Sequence, residues 1–119
     1  MLLNYRQQYQ EFAQLLEELQ LQAANPQLEV GKLRQNLQKT QQFFQQQILT
    51  LAASDLSPAQ ESQIRSYHTE ISKQLQLVGM EATYLQAAKQ QATLSNRRSQ
   101  LASRIQTLIS YCNAILELA

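Results

Sequence analysis

Residues 57–85 read SPAQESQIRSYHTEISKQLQLVGMEATYL. Ser57 suits a helix N-cap and Pro58 the first helical position, while Gln60 completes a capping box, so a helix is predicted to start at Pro58. Behind this signal Ile64, His68, Ile71, Leu75, Val78, Ala82 and Leu85 recur at spacings of four and three, which holds one face of a helix toward one partner. Leu77, Met80, Tyr84 and Ala88 lie beside that stripe and widen the expected buried face, as suits an inner helix with two neighbours, and Gly79 permits a close approach there.

The same rhythm continues on both sides. Upstream, Tyr5, Tyr9, Phe12, Leu16, Leu19 and Ala23 form a stripe, with Asn4 as its expected cap and Gln7 three residues on. Asn25 and Pro26 end that helix and could open the next, because proline is welcome at a first helical position. Gly31 weakens that first turn and leaves open a regular start near Lys32. From there Leu33, Leu37, Phe44, Ile48 and Leu51 share a face, with Thr40 or Gln41 filling the gap, and the helix fades near Ala53.

Downstream, Leu101, Ile105, Leu108, Cys112, Ile115 and Ala119 make the last stripe, flanked by Ile109 and Leu116. Residues 93–99 contain neither glycine nor proline, so one fused helix of roughly 60 residues, about 90 Å long, competes with a break. A break near Ser95 and Asn96 is favoured, because Gln91 and Arg98 would otherwise sit on the seam. The expected fold is an all-α, antiparallel up-and-down bundle in one domain. Its helices run about 5–24, 27–53, 58–94 and 96–118, or number three if the last two fuse.

Composition supports this and narrows the function. The chain has 119 residues, 23 of them glutamine, but only two glycines and two prolines, too few for many hairpin turns. A formal charge of +1 gives no global excess to hold nucleic acid or an anionic membrane. The first ten residues lack a basic region followed by an apolar block, and glutamines interrupt every apolar stretch of membrane-spanning length. Neither a signal peptide nor a membrane span is expected. One cysteine excludes an internal disulfide and suits a reducing compartment, so a cytoplasmic location is expected.

No nucleophile with its base, carboxylate pair or metal-ligand cluster stands at a workable spacing. No catalytic residue, cofactor or metal is therefore assigned. His68, the only histidine, reads as a boundary residue bonded to a neighbouring helix, and Cys112 as a small apolar side chain.

Charge offers more. Between Ala82 and Leu116 there is no acidic residue, while Lys89, Arg97, Arg98 and Arg104 all occur. Arg97, Gln100, Arg104 and Thr107 follow helical spacing and could present a basic stripe to an acidic partner. Plain solvation, or pairing with Glu11, Glu17 and Glu18 of the first helix, is the competing account. Four cations fall short of a nucleic-acid patch with stacking aromatics, so that role is an alternative and membrane binding is not expected.

Phe43 and Phe44 diverge by roughly 100° on a helix, so one of them should be exposed or serve a second contact. With Leu2, Leu3, Leu15 and Leu49, also outside the stripes, they could build a dimer or partner surface, or broaden burial within the bundle.

Five short segments carry a resemblance. Residues 69–75 (TEISKQL), 84–89 (YLQAAK) and 104–112 (RIQTLISYC), with 9–12 (YQEF) and 15–19 (LLEEL), are similar to the cyanobacterial PatD family, small proteins associated with heterocyst frequency. The resemblance implies a cytoplasmic regulator that contacts the tubulin-like division protein FtsZ and influences its assembly. It supplies a partner and no residue motif, so the interface expected at Lys89, Arg97, Arg98, Arg104, Phe43 and Phe44 rests on charge and exposure.

Overall fold

The computed structural model describes residues 2–25, 27–51, 56–88 and 90–118, apart from the side chains of residues 2, 3 and 91. Those residues form helices α1 (Leu2–Ala24), α2 (Val30–Phe43, continued by a π turn over Phe44–Ile48), α3 (Pro58–Ala87) and α4 (Gln91–Leu118). There is no strand among them.

Side-chain bonds between the ends of the helices define their directions. Arg6, early in α1, donates to the Leu116 carbonyl at 2.8 Å, and Arg98, early in α4, reaches the Asn25 carbonyl at 3.5 Å. Gln60 at the start of α3 donates to the Leu118 carbonyl at 3.0 Å. Arg34 of α2 donates to Gln86 late in α3, and Asn36 of α2 to Gln22 late in α1 at 2.9 Å. Each helix is thus antiparallel to the one before it, and α4 closes the ring against α1. The bundle is 50 Å long and 20 Å by 18 Å across.

The core is the set of stripes. From Tyr5 to Ala23 in α1, and from Leu101 to Ile115 in α4, every stripe position is buried. In α2 Thr40, not Gln41, fills the gap between Leu37 and Phe44. It can do so because its hydroxyl bonds the Asn36 carbonyl at 2.8 Å and leaves no unpaired polar group inside. Each large apolar side chain removed from water contributes about 2 kcal/mol, so the buried stripes of α1, α3 and α4 carry most of the stability.

Several boundaries differ from expectation. The capping box at Ser57 is present in full, with Gln60 N donating to Ser57 Oγ at 3.1 Å and Ser57 N donating to Gln60 Oε1 at 3.0 Å. Asn4, by contrast, lies inside α1, since good helix formers precede it. Asn25 Oδ1 accepts from Gln27 N at 2.9 Å and makes a turn, and α2 begins only after the extended Glu29. Pro26, Ala53 and Ala119 lie outside the described residues.

The largest correction concerns the last two helices. They are separate, and the break falls at residues 88–90, not near Ser95 and Asn96, which are exposed within α4. Ala88 has extended backbone, φ −73° and ψ 134°. Nothing in the local sequence breaks a helix there. A continuous rod would leave half of each stripe without a partner, whereas reversal buries Leu101, Ile105, Leu108 and Ile115.

The second apolar set of α3 also lies elsewhere than expected. Met80 is 49% and Tyr84 44% exposed, because the neighbours of α3 sit on the flanks of its main stripe. The widened contact is made instead by Tyr67 and Glu81 toward α4 and by Gly79 toward α2.

Candidate functional site

Phe43 and Phe44 do not form a surface. Phe44 is buried with its ring 5.5 Å from Phe12, and Phe43 is half-buried and stacked on the same ring at 6.3 Å. Because α2 sits in a corner between α1 and α3, its buried arc is wide enough to take both phenylalanines. Leu15 is half-buried and Leu49 exposed.

His68 completes this aromatic centre. It shares a hydrogen bond with the Tyr9 hydroxyl across the bundle and meets the Phe44 ring edge-on at 5.8 Å. Burial lowers its pKa to about 4 and pushes the Tyr9 phenol up. Both groups are neutral at pH 7 and are bonded to each other, as expected of a boundary histidine. Cys112 is buried and its thiol is pushed up to about 12, so it packs as an apolar group.

The arginine stripe is real, but it is not free. Its counter-ion is Glu81 of α3, one residue before the acid-free window begins, and not the carboxylates of α1. Glu81 Oε1 lies 3.6 Å from Arg104 Nε and Oε2 lies 3.7 Å from Arg97 Nη1. The Glu81 side chain is only 9% exposed, against 37% for Arg97 and 34% for Arg104. Arg97 also lies over the Tyr84 ring, 4.9 Å from its centre. Glu81 Oε2 and Arg104 Nε are buried without a hydrogen bond among the described residues, so the pairing is electrostatic and loosely fitted.

The register has a simple cause. Tyr67 with Tyr111, whose rings are 5.9 Å apart, and Glu81 with Arg97 are pairs whose residue numbers share one midpoint, as an antiparallel pairing of α3 with α4 requires. Tyr67, Gln74 and Glu81 on one helix and Arg97, Arg104 and Tyr111 on the other repeat every seven residues, which keeps both rows on one seam. Glu81 and Tyr84 escaped the sequence reading because a turn set near Asn96 shifts this pairing. The symmetry of the two rows was the available signal.

Arg98 is half-buried and directed at Asn25, and Lys89 lies outside the described residues. Beside Arg104, a shallow groove of about 360 Å³ is lined by Gln74, Gln100, Ser103 and Thr107, offering amides and hydroxyls. No three His, Cys, Asp or Glu side chains gather around one point among the described residues. No described helix is long and apolar enough to cross a membrane.

The fold and this face define a class: a four-helix bundle that presents a semi-buried arginine cluster. Comparison of the chain with protein families, curated proteins and solved structures gives no match.

Proposed function

We propose that this chain is a non-enzymatic regulatory module that works by protein–protein contact, and that its partner is FtsZ, as its resemblance to the cyanobacterial PatD family implies. Binding modulates FtsZ assembly and through it the frequency of heterocysts. The observation that carries the reading is the composition of the α3–α4 face. Two guanidiniums, Arg97 and Arg104, share one close carboxylate, Glu81, leaving a net positive pair beside the exposed Tyr84 ring, while Arg98 of the same helix is directed at Asn25. Such a cluster suits an acidic protein surface, and its partial burial strengthens each contact relative to a fully solvated pair.

Pelleting and light scattering of FtsZ polymer, with and without the chain, test this. The expected outcome is a change in polymer amount or bundling that Arg97→Glu with Arg104→Glu reduces at least about tenfold in binding, with helicity retained. Unchanged polymer together with no measurable binding would sink it. A salt series with duplex DNA addresses the nucleic-acid alternative, which requires affinity falling steeply as salt rises.

A further inference from the structure

Both glycines of the chain face the same space. Gly31, in the first turn of α2, and Gly79, in the middle of α3, line one groove of about 580 Å³ between the two helices. Neither has a positive φ. A Cβ placed on Gly31 would meet nothing within 4 Å, and one on Gly79 would meet only Gln41 Nε2, at an ordinary 3.7 Å. Glycine inside a helix lowers stability relative to alanine, so at Gly79 the bundle tolerates a cost that neither backbone geometry nor internal packing requires.

What glycine keeps open is lined by amides. Gln35, Gln38, Gln41 and Gln86 form the walls and Leu37 part of the floor. Among the described residues Arg34 is the only charged group lining it, and it donates to Gln86 across one end. At Gln41, whose Nε2 donates to the Leu75 carbonyl at 3.4 Å, the groove meets a second one of about 280 Å³. That part is floored by Phe44 and Leu75 and edged by the exposed Leu49.

We infer that the α2–α3 groove binds an extended peptide of about seven residues, with a carboxylate at the Arg34 end, small residues over Gly79 and an apolar side chain at the Leu49 end. The length follows from the span of α2 between Arg34 and Leu49, about 22 Å at 1.5 Å per residue, divided by about 3.3 Å per residue of extended chain. Carboxamides offer both donors and acceptors, which an extended backbone needs and a helix has already satisfied internally. Among the described residues no carboxylate pairs with the Arg34 guanidinium, which sets the polarity. This site is separate from the arginine face and does not rest on the FtsZ contact proposed there.

Selection from a phage-displayed random heptapeptide library on the full chain, with a Gly79→Leu chain as counter-selection, tests it. Enriched peptides should carry Asp or Glu toward one end and an apolar residue toward the other. In titrations they should lose at least about tenfold in affinity with Gly79→Leu and with Arg34→Ala, and nothing with Arg97→Glu. Gly79→Ala, which fills less of the groove, should raise Tm by about 4 °C and still weaken binding, separating the site from the fold.

No enrichment over the Gly79→Leu chain, or equal binding to all variants, would overturn the inference. Enriched peptides with helical apolar spacing would assign the groove to a helix instead. Self-association of the natural chain that Gly79→Leu abolishes would assign it to a second copy. Gly79→Leu should weaken peptide binding and leave FtsZ pelleting unchanged, so the two proposals fail separately.

Discussion

Helices α1 and α4 and helices α2 and α3 are both antiparallel neighbours, yet they meet in opposite ways. Helices α1 and α4 bring fully buried Tyr9, Phe12, Leu16, Leu19, Leu101, Ile105, Leu108 and Ile115 to the core. Between α2 and α3 the contact is partly amide: Gln41 bonds the Leu75 carbonyl, Arg34 bonds Gln86, and a groove remains. The difference follows from apolar supply. A short helix rich in glutamine sustains only a narrow dry seam, and the polar positions that flank it hold its neighbour at amide distance. The lesson is that every helix gives a buried stripe to the core, while the α2–α3 seam also leaves amide surface to spare for contact.

The sharpest way to break this comparison is to truncate one residue on each side. Phe12→Ala should cost about 3–5 kcal/mol of unfolding free energy in urea titrations, because it empties the site where the Phe43 and Phe44 rings meet. Gln38→Ala in the groove wall should stay within about 0.5 kcal/mol. Equal losses would mean that the two halves are equally packed.

Between these extremes stands Glu81. Glu81→Ala leaves two partly buried guanidiniums without their carboxylate and should cost about 2 kcal/mol, while Glu81→Leu, which restores packing, should recover part of it. A Glu81→Ala chain as stable as the natural one would make the cluster a surface feature and nothing more.

His68 gives a smaller effect with a definite sign. Its folded pKa of about 4 lies below the ordinary 6.5, so the unfolded chain takes up the proton more readily. The stability contributed by the neutral ring is complete above about pH 6.5 and is lost as pH falls toward 4. Denaturation midpoints measured across this window should decline toward acid. Tyr9→Phe should cost about 1 kcal/mol for the lost hydrogen bond yet leave that slope in place, because burial and not the hydroxyl lowers the pKa.

The smallest change has the opposite sign. Gly79→Ala should stabilise the fold by about 1 kcal/mol, read as a rise in the urea midpoint with unchanged slope. A loss instead would show that the α2–α3 pair needs a closer approach than its groove suggests.

All four stripes, the capping box at Ser57, the placement of Thr40 or Gln41 opposite the core and the neutral packing of His68 and Cys112 could be read from the chain. These are local properties: the 3.6-residue period and the reach of a serine hydroxyl operate within a few positions. The arginine row was legible too, but its partner was not, since Glu81 becomes a neighbour only when the chain reverses between α3 and α4.

By itself, then, the sequence determined which face of every helix seeks a core and where α3 must start, because both follow from spacing along one strand of backbone. Only the tertiary structure decided where α3 gives way to α4, which carboxylate neutralises the arginines, that both phenylalanines of α2 point inward, and that two glycines open onto one groove. Each of those depends on what an adjacent helix places opposite, and burial of a stripe against a partner outweighs the helix propensity of Ala88 and its neighbours, which by itself favours continuing the helix.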